Sequence, residues 1–183
     1  MGRDQGGRRR GAWTAFAVLA AAIVIADQLL KHWIVANYAV DTPVQVVGDW
    51  VRIEFIHNAG GLFGLFQNAA PLFALVSVGV IGMIVALELR WGWRSWLITA
   101  ALGLLLGGAI GNLVDRITLR YVVDFVDIGI GTWRWWIFNL ADSAVSVSIA
   151  VLLLISLFRP KLLPDQPERE AGDADEPRGP VAG

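Results

Sequence analysis

The sequence predicts a mainly α-helical membrane protein with four transmembrane helices, a small extracytoplasmic β-sheet and a short interfacial helix. Three observations carry that prediction. Hydrophobic residues fill 56% of the 183 positions and charged residues 17%, whereas a soluble domain carries roughly a quarter charged residues. Four apolar stretches each reach the length of about 20 residues that a helix needs to cross hydrocarbon. Between them lie two segments with a two-residue alternation, which belongs to strands. The net charge of −1 gives no case for nucleic-acid binding, and the lack of cysteine excludes disulfides, thiolate metal sites and cysteine nucleophiles. One membrane domain is expected over residues 12–158, between a disordered basic head (1–11) and a disordered tail (159–183).

Arg8, Arg9 and Arg10 precede the first apolar run, residues 12–36. The run superficially matches a cleavable secretory signal, but its full spanning length argues for an uncleaved helix. Asp27 and Lys31 are four apart and share a face, either as a helix-stabilising ion pair or as part of a site. Residues 42–57 change period: Val51, Ile53 and Phe55 alternate with Arg52 and Glu54, the pattern of a half-buried strand. An open sheet edge cannot face lipid tails, so this segment belongs outside the hydrocarbon core. A turn at Asn58 leads to residues 62–67, a short amphipathic piece suited to the interface. The second helix is expected over 71–89, with Pro71 in its first turn, and a Trp-containing hinge follows. The third, over 96–114, carries Gly103, Gly107, Gly108 and Gly111 as a small-residue face for close packing. Residues 117–137 read as two strands, 121–128 and 132–137, around a turn at Gly129 and Gly131. The fourth helix is expected over 139–158, and the Pro-, Glu- and Asp-rich remainder lacks the apolar content to fold.

Arginines and lysines fix the orientation. Arg3, Arg8, Arg9, Arg10, Arg90, Arg94, Arg159 and Lys161 fall on one face of a four-helix plan, and the positive-inside rule makes that face, with both termini, cytoplasmic. Arg52, Arg116, Arg120 and Arg134 on the other side weaken the bias without reversing it. The end of the first helix, the end of the third and the start of the fourth then meet at the outer leaflet. Asp27, Asp115, Arg116, Asp124 and Asp142 therefore converge at one depth.

Residues 107–142 hold four aspartates together with Asn112, Asn139 and Arg116. Ionisable groups at the border of apolar segments are costly and point to function, whereas helix capping alone needs one such residue per helix end. Two neighbouring carboxylates cannot both ionise cheaply, so one retains a proton while the other acts as base. Such a pair can deprotonate water for attack on an amide and return a proton to the departing nitrogen, with no cofactor and no metal. Asp124, in YVVDF, and Asp142, in FNLAD, make the best pair; which one holds the proton stays open. Asp115 is expected to pair with the adjacent Arg116 and fix the helix end. Asp127 lies three residues from Asp124, on the opposite face of a regular strand, and is left out. The competing readings are a hard-cation site built from Asp115, Asp124, Asp127 and Asp142, a Ser143 nucleophile with a lysine base, a non-catalytic scaffold, and a small proton-coupled transporter or channel subunit. A zinc protease is disfavoured because His32 and His57 lack the HExxH spacing, and a transport site belongs nearer the midplane.

Five blocks carry a resemblance: DQLLK (Asp27, Gln28, Lys31), NAGGLFG from Asn58, GGAIGNLVDR ending at Arg116, YVVDF and FNLAD. In this order, across residues 26–158, the chain resembles the lipoprotein signal peptidases, the type II signal peptidase family of bacterial inner membranes. One block departs from the usual NTGAAFG-like pattern, at Ala59, Gly61 and Leu62. The resemblance implies an aspartyl endopeptidase that cuts prolipoprotein signal peptides just before a cysteine bearing a diacylglyceryl group. It assigns catalysis to Asp124 and Asp142, and gives Asn112, Arg116 and Asn139 roles in lining the site, binding substrate or orienting the pair. Asp27 and Asn58 match further positions important for activity. It also implies a β-cradle over the site, contact with membrane lipid and sensitivity to the cyclic peptide globomycin.

Overall fold

The computed structural model describes residues 2–60 and 70–162. Its main elements are α1 (Gly2–Asn37), β1 (Val44–Val47), β2 (Val51–Asn58), α2 (Ala70–Trp91), α3 (Trp96–Thr118), β3 (Val122–Ile130), β4 (Trp133–Arg134) and α4 (Leu140–Phe158). All four helices are long and apolar enough to cross a membrane. They differ in burial: 56% of the most apolar stretch of α3 is buried, against 17%, 11% and 22% for α1, α2 and α4. The third helix is therefore the one the others surround.

Its glycines explain how. A Cβ on Gly107 would stand 2.8 Å from the Ala20 carbonyl oxygen of α1, and one on Gly108 would stand 2.5 Å from the Ala141 carbonyl oxygen of α4. At Gly111 it would meet Asp27 Oδ2 at 2.8 Å. Hydrogen in place of a side chain thus lets two backbones approach α3 on two faces, the usual device where lipid offers no hydrophobic drive for helix pairing. Phe16 and Ala20 of α1, Ile84 of α2, Ile98, Leu102 and Leu106 of α3, and Ile155 of α4 fill the apolar core.

The strands form one antiparallel sheet in the order β1-β2-β3-β4. Phe55, Val123 and Phe125 pack with Ile34 of α1, seating the sheet on the end of the bundle where α1 finishes. Register then places Asn58 opposite Val122 and Ile56 opposite Asp124. The two turn tips are tied together: Asp49 accepts hydrogen bonds from Gly131 N–H and Arg52, and Arg134 donates to the Asp49 carbonyl at 3.0 Å. The Gly131 N–H, then Arg52, hold the Asp49 carboxyl below its ordinary range.

Several boundaries differ from expectation. The basic head is helical through its described part, not disordered; Arg is a good helix former, the span behind it supplies the nucleus, and Arg9 donates to the Leu89 carbonyl at 3.4 Å. Residues 42–57 are a hairpin, not a single strand, because Gly48 turns the chain at φ +51°. The third helix runs four residues past Val114, and β4 is only two residues long. The expected interfacial segment 62–67, and the tail beyond 162, lie outside the described residues.

Gly108→Ala is expected to lower stability in detergent by about 1–3 kcal/mol, the usual range for overpacking. Gly79→Ala on α2, where an added Cβ meets nothing within 4 Å, should be neutral or slightly stabilising. Equal thermal shifts for the two variants would contradict the packing account.

Candidate active site

The site is assembled where α4 begins. Asn139 is the N-cap: its side-chain oxygen accepts the Asp142 N–H at 2.9 Å, and Asp142 Oδ2 accepts the Asn139 N–H at 3.2 Å. This reciprocal capping box satisfies two donors that a helix start leaves unpaired. Capping leaves one group on each residue free. Asp142 Oδ1 accepts from Asn112 Nδ2 at 2.7 Å, and Asn139 Nδ2 donates to Asp124 Oδ1 at 2.7 Å. Asn139 Nδ2 also reaches Asn112 Oδ1 at 3.0 Å, so the two amides link the two carboxylates. From β2, Asn58 Nδ2 donates to Asp124 Oδ2 at 2.9 Å.

Asp124 lies in β3 and is only 2% exposed. Burial, followed by the negative charge of Asp142, pushes its carboxyl up to about 7, against the opposing donors Asn58 and Asn139 and the charge of Lys31. Near neutral pH this carboxyl is therefore poised to hold or release a proton.

A second polar cluster lies behind the first. Lys31 Nζ is 2.7 Å from Asp27 Oδ2, 2.9 Å from Asp115 Oδ2 and 3.1 Å from Asn112 Oδ1. Asp27 Oδ1 accepts the Ala141 N–H at 3.0 Å, and Asp115 Oδ2 accepts the Val123 N–H at 3.1 Å. These carboxylates therefore join α1 and α3 to α4 and β3. The expected Asp115–Arg116 pair is not formed; the partner of Asp115 is Lys31. Adjacent helical residues point about 100° apart, so sequence neighbours on a helix do not face each other. Arg116 instead donates to the Asn112 carbonyl at 3.1 Å and lies 5.8 Å from the ring centre of Phe73. Its Nε is buried without a partner among the described residues.

A cavity of about 550 Å³ opens onto Asp124, Asp142, Asn58, Asn112, Arg116 and Ser143. Its other wall is apolar, including Trp135, Trp136, Ile137 and Phe138. Asp27, Asp115 and Asn139 support this cavity without lining it. Asp127 faces away: both its carboxylate oxygens accept from Arg134 Nε, at 2.7 and 2.6 Å. The four-aspartate cation set is thus not brought together, and among the described residues no three His, Asp or Glu side chains group to hold a metal ion. The Ser143 hydroxyl donates to the Asn139 carbonyl at 3.0 Å, while Lys31 is engaged elsewhere. Sequence reasoning left Lys31 open between a helix ion pair and a part of the site and gave Gln28 no role of its own, although Gln28 Nε2 donates to Asp115 Oδ1 at 2.9 Å. The one available signal was the spacing of Asp27, Gln28 and Lys31 over a single turn. The aromatic wall was missed too, since 132–137 was read only as a strand.

The fold is shared with solved membrane proteins. Two structures, each described as a bacterial membrane enzyme, superpose on it. One has a TM-score of 0.74 at 22% identity, over 83% of this chain and 93% of that one. The other has a TM-score of 0.71 at 26% identity, over 79% and 92%. The signal peptidase (SPase) II family pattern matches residues 19–158, and this chain belongs to that family. It is 37% identical over 137 residues to a lipoprotein signal peptidase of Moorella thermoacetica, covering 75% of this chain and 89% of the relative. To one from Lactobacillus gasseri it is 32% identical over 150 residues, covering 82% and 96%. The chain is therefore a membrane peptidase, which displaces the transporter, channel and scaffold alternatives.

The raised Asp124 carboxyl has a consequence for stability. Its folded value, about 7, lies above the ordinary 3.8, so folding favours the protonated form. That contribution is fully present below about pH 4 and is lost as pH rises through about 7. Asp124→Asn should accordingly flatten the melting temperature between pH 4 and 7 and raise it relative to the parent at pH 8, measured in detergent. An unchanged pH dependence would show that Asp124 is not the group responsible.

Proposed function

We propose that this protein removes the signal peptide from lipid-modified prolipoproteins, cutting just before the diacylglyceryl-bearing cysteine with Asp124 and Asp142 as an aspartyl dyad. The observation that carries the reading is the pair itself. Two carboxylates border one cavity, joined through Asn112 and Asn139, and one of them titrates near neutrality.

The chemistry needs one proton shared by the pair. The ionised carboxylate takes a proton from water as the oxygen attacks the scissile carbonyl carbon, while the protonated partner donates to the carbonyl oxygen. The tetrahedral intermediate collapses when a proton reaches the departing nitrogen, releasing a new carboxylate and a new amine. Asn112 and Asn139 hold the carboxylates in register for both steps, and fixed geometry of this kind removes much of the barrier. Arg116 and Asn58 border the cavity, where the guanidinium and the second amide hydrogen of Asn58 can meet substrate. Trp135 and Trp136, 66% and 53% exposed, flank the cavity, which suits an acyl chain entering sideways from lipid with its amide at headgroup depth.

The same reading sets orientation. Arg9, Arg90 and Arg94 gather at the end of the bundle away from the sheet, and we assign that end to the cytoplasm and the cavity to the extracytoplasmic face of the inner membrane. Globomycin would compete with substrate for the cavity that Asp124, Asp142 and Arg116 border.

Asp124→Asn and Asp142→Asn should each lower cleavage of a synthetic diacylglyceryl precursor by about 1,000-fold or more, the scale of lost acid–base catalysis, while the protein stays folded in the membrane. Processing at the parental rate by both variants would remove the dyad. For the parent, kcat/KM should fall as pH rises through about 7, where Asp124 gives up its proton. Added chelator should leave the rate unchanged; its loss in chelator would point to a metal-dependent reaction instead.

A further inference from the structure

The residue left without a role by the dyad chemistry is Lys31. It is 2% exposed, at the end of α1, and does not border the cavity. Its ammonium has three N–H donors and three acceptors within reach: Asp27 Oδ2 at 2.7 Å, Asp115 Oδ2 at 2.9 Å and Asn112 Oδ1 at 3.1 Å. With all three donors engaged it has no lone pair to offer, so it is not a general base. An ammonium can only donate, which fixes which end of the Asn112 amide faces it.

Asn112 connects Lys31 to Asp142. Its amide has one acceptor end and one donor end, and the two orientations differ in what they present to Asp142. With Oδ1 turned to Lys31 and to Asn139 Nδ2, the amino group points at Asp142 Oδ1, 2.7 Å away. Reversed, the amide would set a carbonyl oxygen against a carboxylate oxygen. Asn139 alone holds the orientation weakly. Its Nδ2 carries two hydrogens shared among Asp124 Oδ1 at 2.7 Å, Asn112 Oδ1 at 3.0 Å and the Val123 carbonyl at 3.4 Å. Lys31 supplies the second donor that makes one orientation obligatory, and a charged donor forms roughly twice as strong a bond as a neutral one.

We propose that Lys31 is a positioning residue for the dyad, acting through Asn112: it locks the amide of Asn112 so that Asp142 always receives a hydrogen-bond donor. This rests on the assignment of Asp124 and Asp142 as the catalytic pair. Asp27 and Asp115 hold the ammonium in place, which also gives these two buried carboxylates a use beyond helix packing.

The test is a double-mutant cycle on purified protein with the synthetic lipidated precursor. Lys31→Met, which keeps the stem and removes the donors, should lower kcat by about 100-fold, the scale of a small misplacement in an active site, with KM within about twofold of the parent. Asn112→Ala should lower kcat by a similar factor. If Lys31 acts through Asn112, the double variant should be no slower than Asn112→Ala alone, since coupled residues are non-additive. Multiplying losses, or an unchanged kcat in Lys31→Met, would overturn the proposal.

Losing a buried cation between two carboxylates is itself destabilising, so the cycle is repeated on an Asp27→Asn background. There, Lys31→Met removes one positive charge and Asp27→Asn one negative, keeping the net charge of the cluster. A lysine that only balances charge would be rescued by Asp27→Asn to the activity of that single variant, which would also overturn the proposal. Persistent loss in the pair, absent once Asn112 is alanine, is the expected result. The outcomes separate from those of the dyad. Full activity in Asp124→Asn and Asp142→Asn would remove the catalytic reading, whereas additivity with both aspartates still required removes only the role of Lys31.

Discussion

Close backbone approach along α3 is the constraint on which the rest of this structure depends. At Gly107, Gly108 and Gly111 there is no room for a side chain, and α1 and α4 lie against the third helix as a result. Only at that spacing can the Asp27 carboxylate reach past α3 to the Ala141 N–H of α4. That bond sets the depth of the start of α4, and with it the height of Asp142 relative to Asp124 on the sheet. A packing feature made from hydrogen atoms thus fixes the geometry of a pair of acids.

Such an arrangement buries Lys31, Asp27, Asp115 and Asn139 and leaves Asn112 and Asp124 exposed only where they border the cavity. Each buried charge costs several kcal/mol in desolvation, and that cost is offset only where partners are well placed. The structure meets this by connecting the groups end to end, from the lysine through Asn112 to Asp142 and through Asn139 to Asp124. Asparagine suits the positions between carboxylates, because its amide offers a donor to one neighbour and an acceptor to another without adding charge. A connected network of this kind holds one arrangement, since breaking any member leaves another buried group unpaired.

Much of this was legible in the chain. Four apolar spans, the alternation of Val51, Ile53 and Phe55, and the glycines of α3 follow from periodicity and length, because each reports a local physical requirement. The candidate pair was legible as well, since Asp124 sits in an apolar strand and Asp142 opens a helix. Local reasoning failed where direction mattered. Asp115 was matched with its neighbour Arg116, although the helix turns successive side chains about 100° apart and the true partner lies 84 positions away on α1. The hairpin at Gly48 was hidden because a turn between two short strands interrupts the alternation by only a few residues. Asn139 and Asp142 do cap a helix, yet their remaining groups also bond Asn112 and Asp124, so capping does not exhaust their polar groups.

By itself the sequence determined how many helices are long and apolar enough to cross the membrane, which residue types stand at one end of those helices, and which two acids form the candidate pair. Those properties depend on hydropathy, spacing and side-chain chemistry, all of them short-range. The tertiary structure alone decided which partner each buried group takes, which end of each asparagine faces a carboxylate, and which aspartates border the cavity and which support it from behind. These depend on contacts between helices and strands far apart in the chain, where a rotation of one helix by a single residue exchanges every partner.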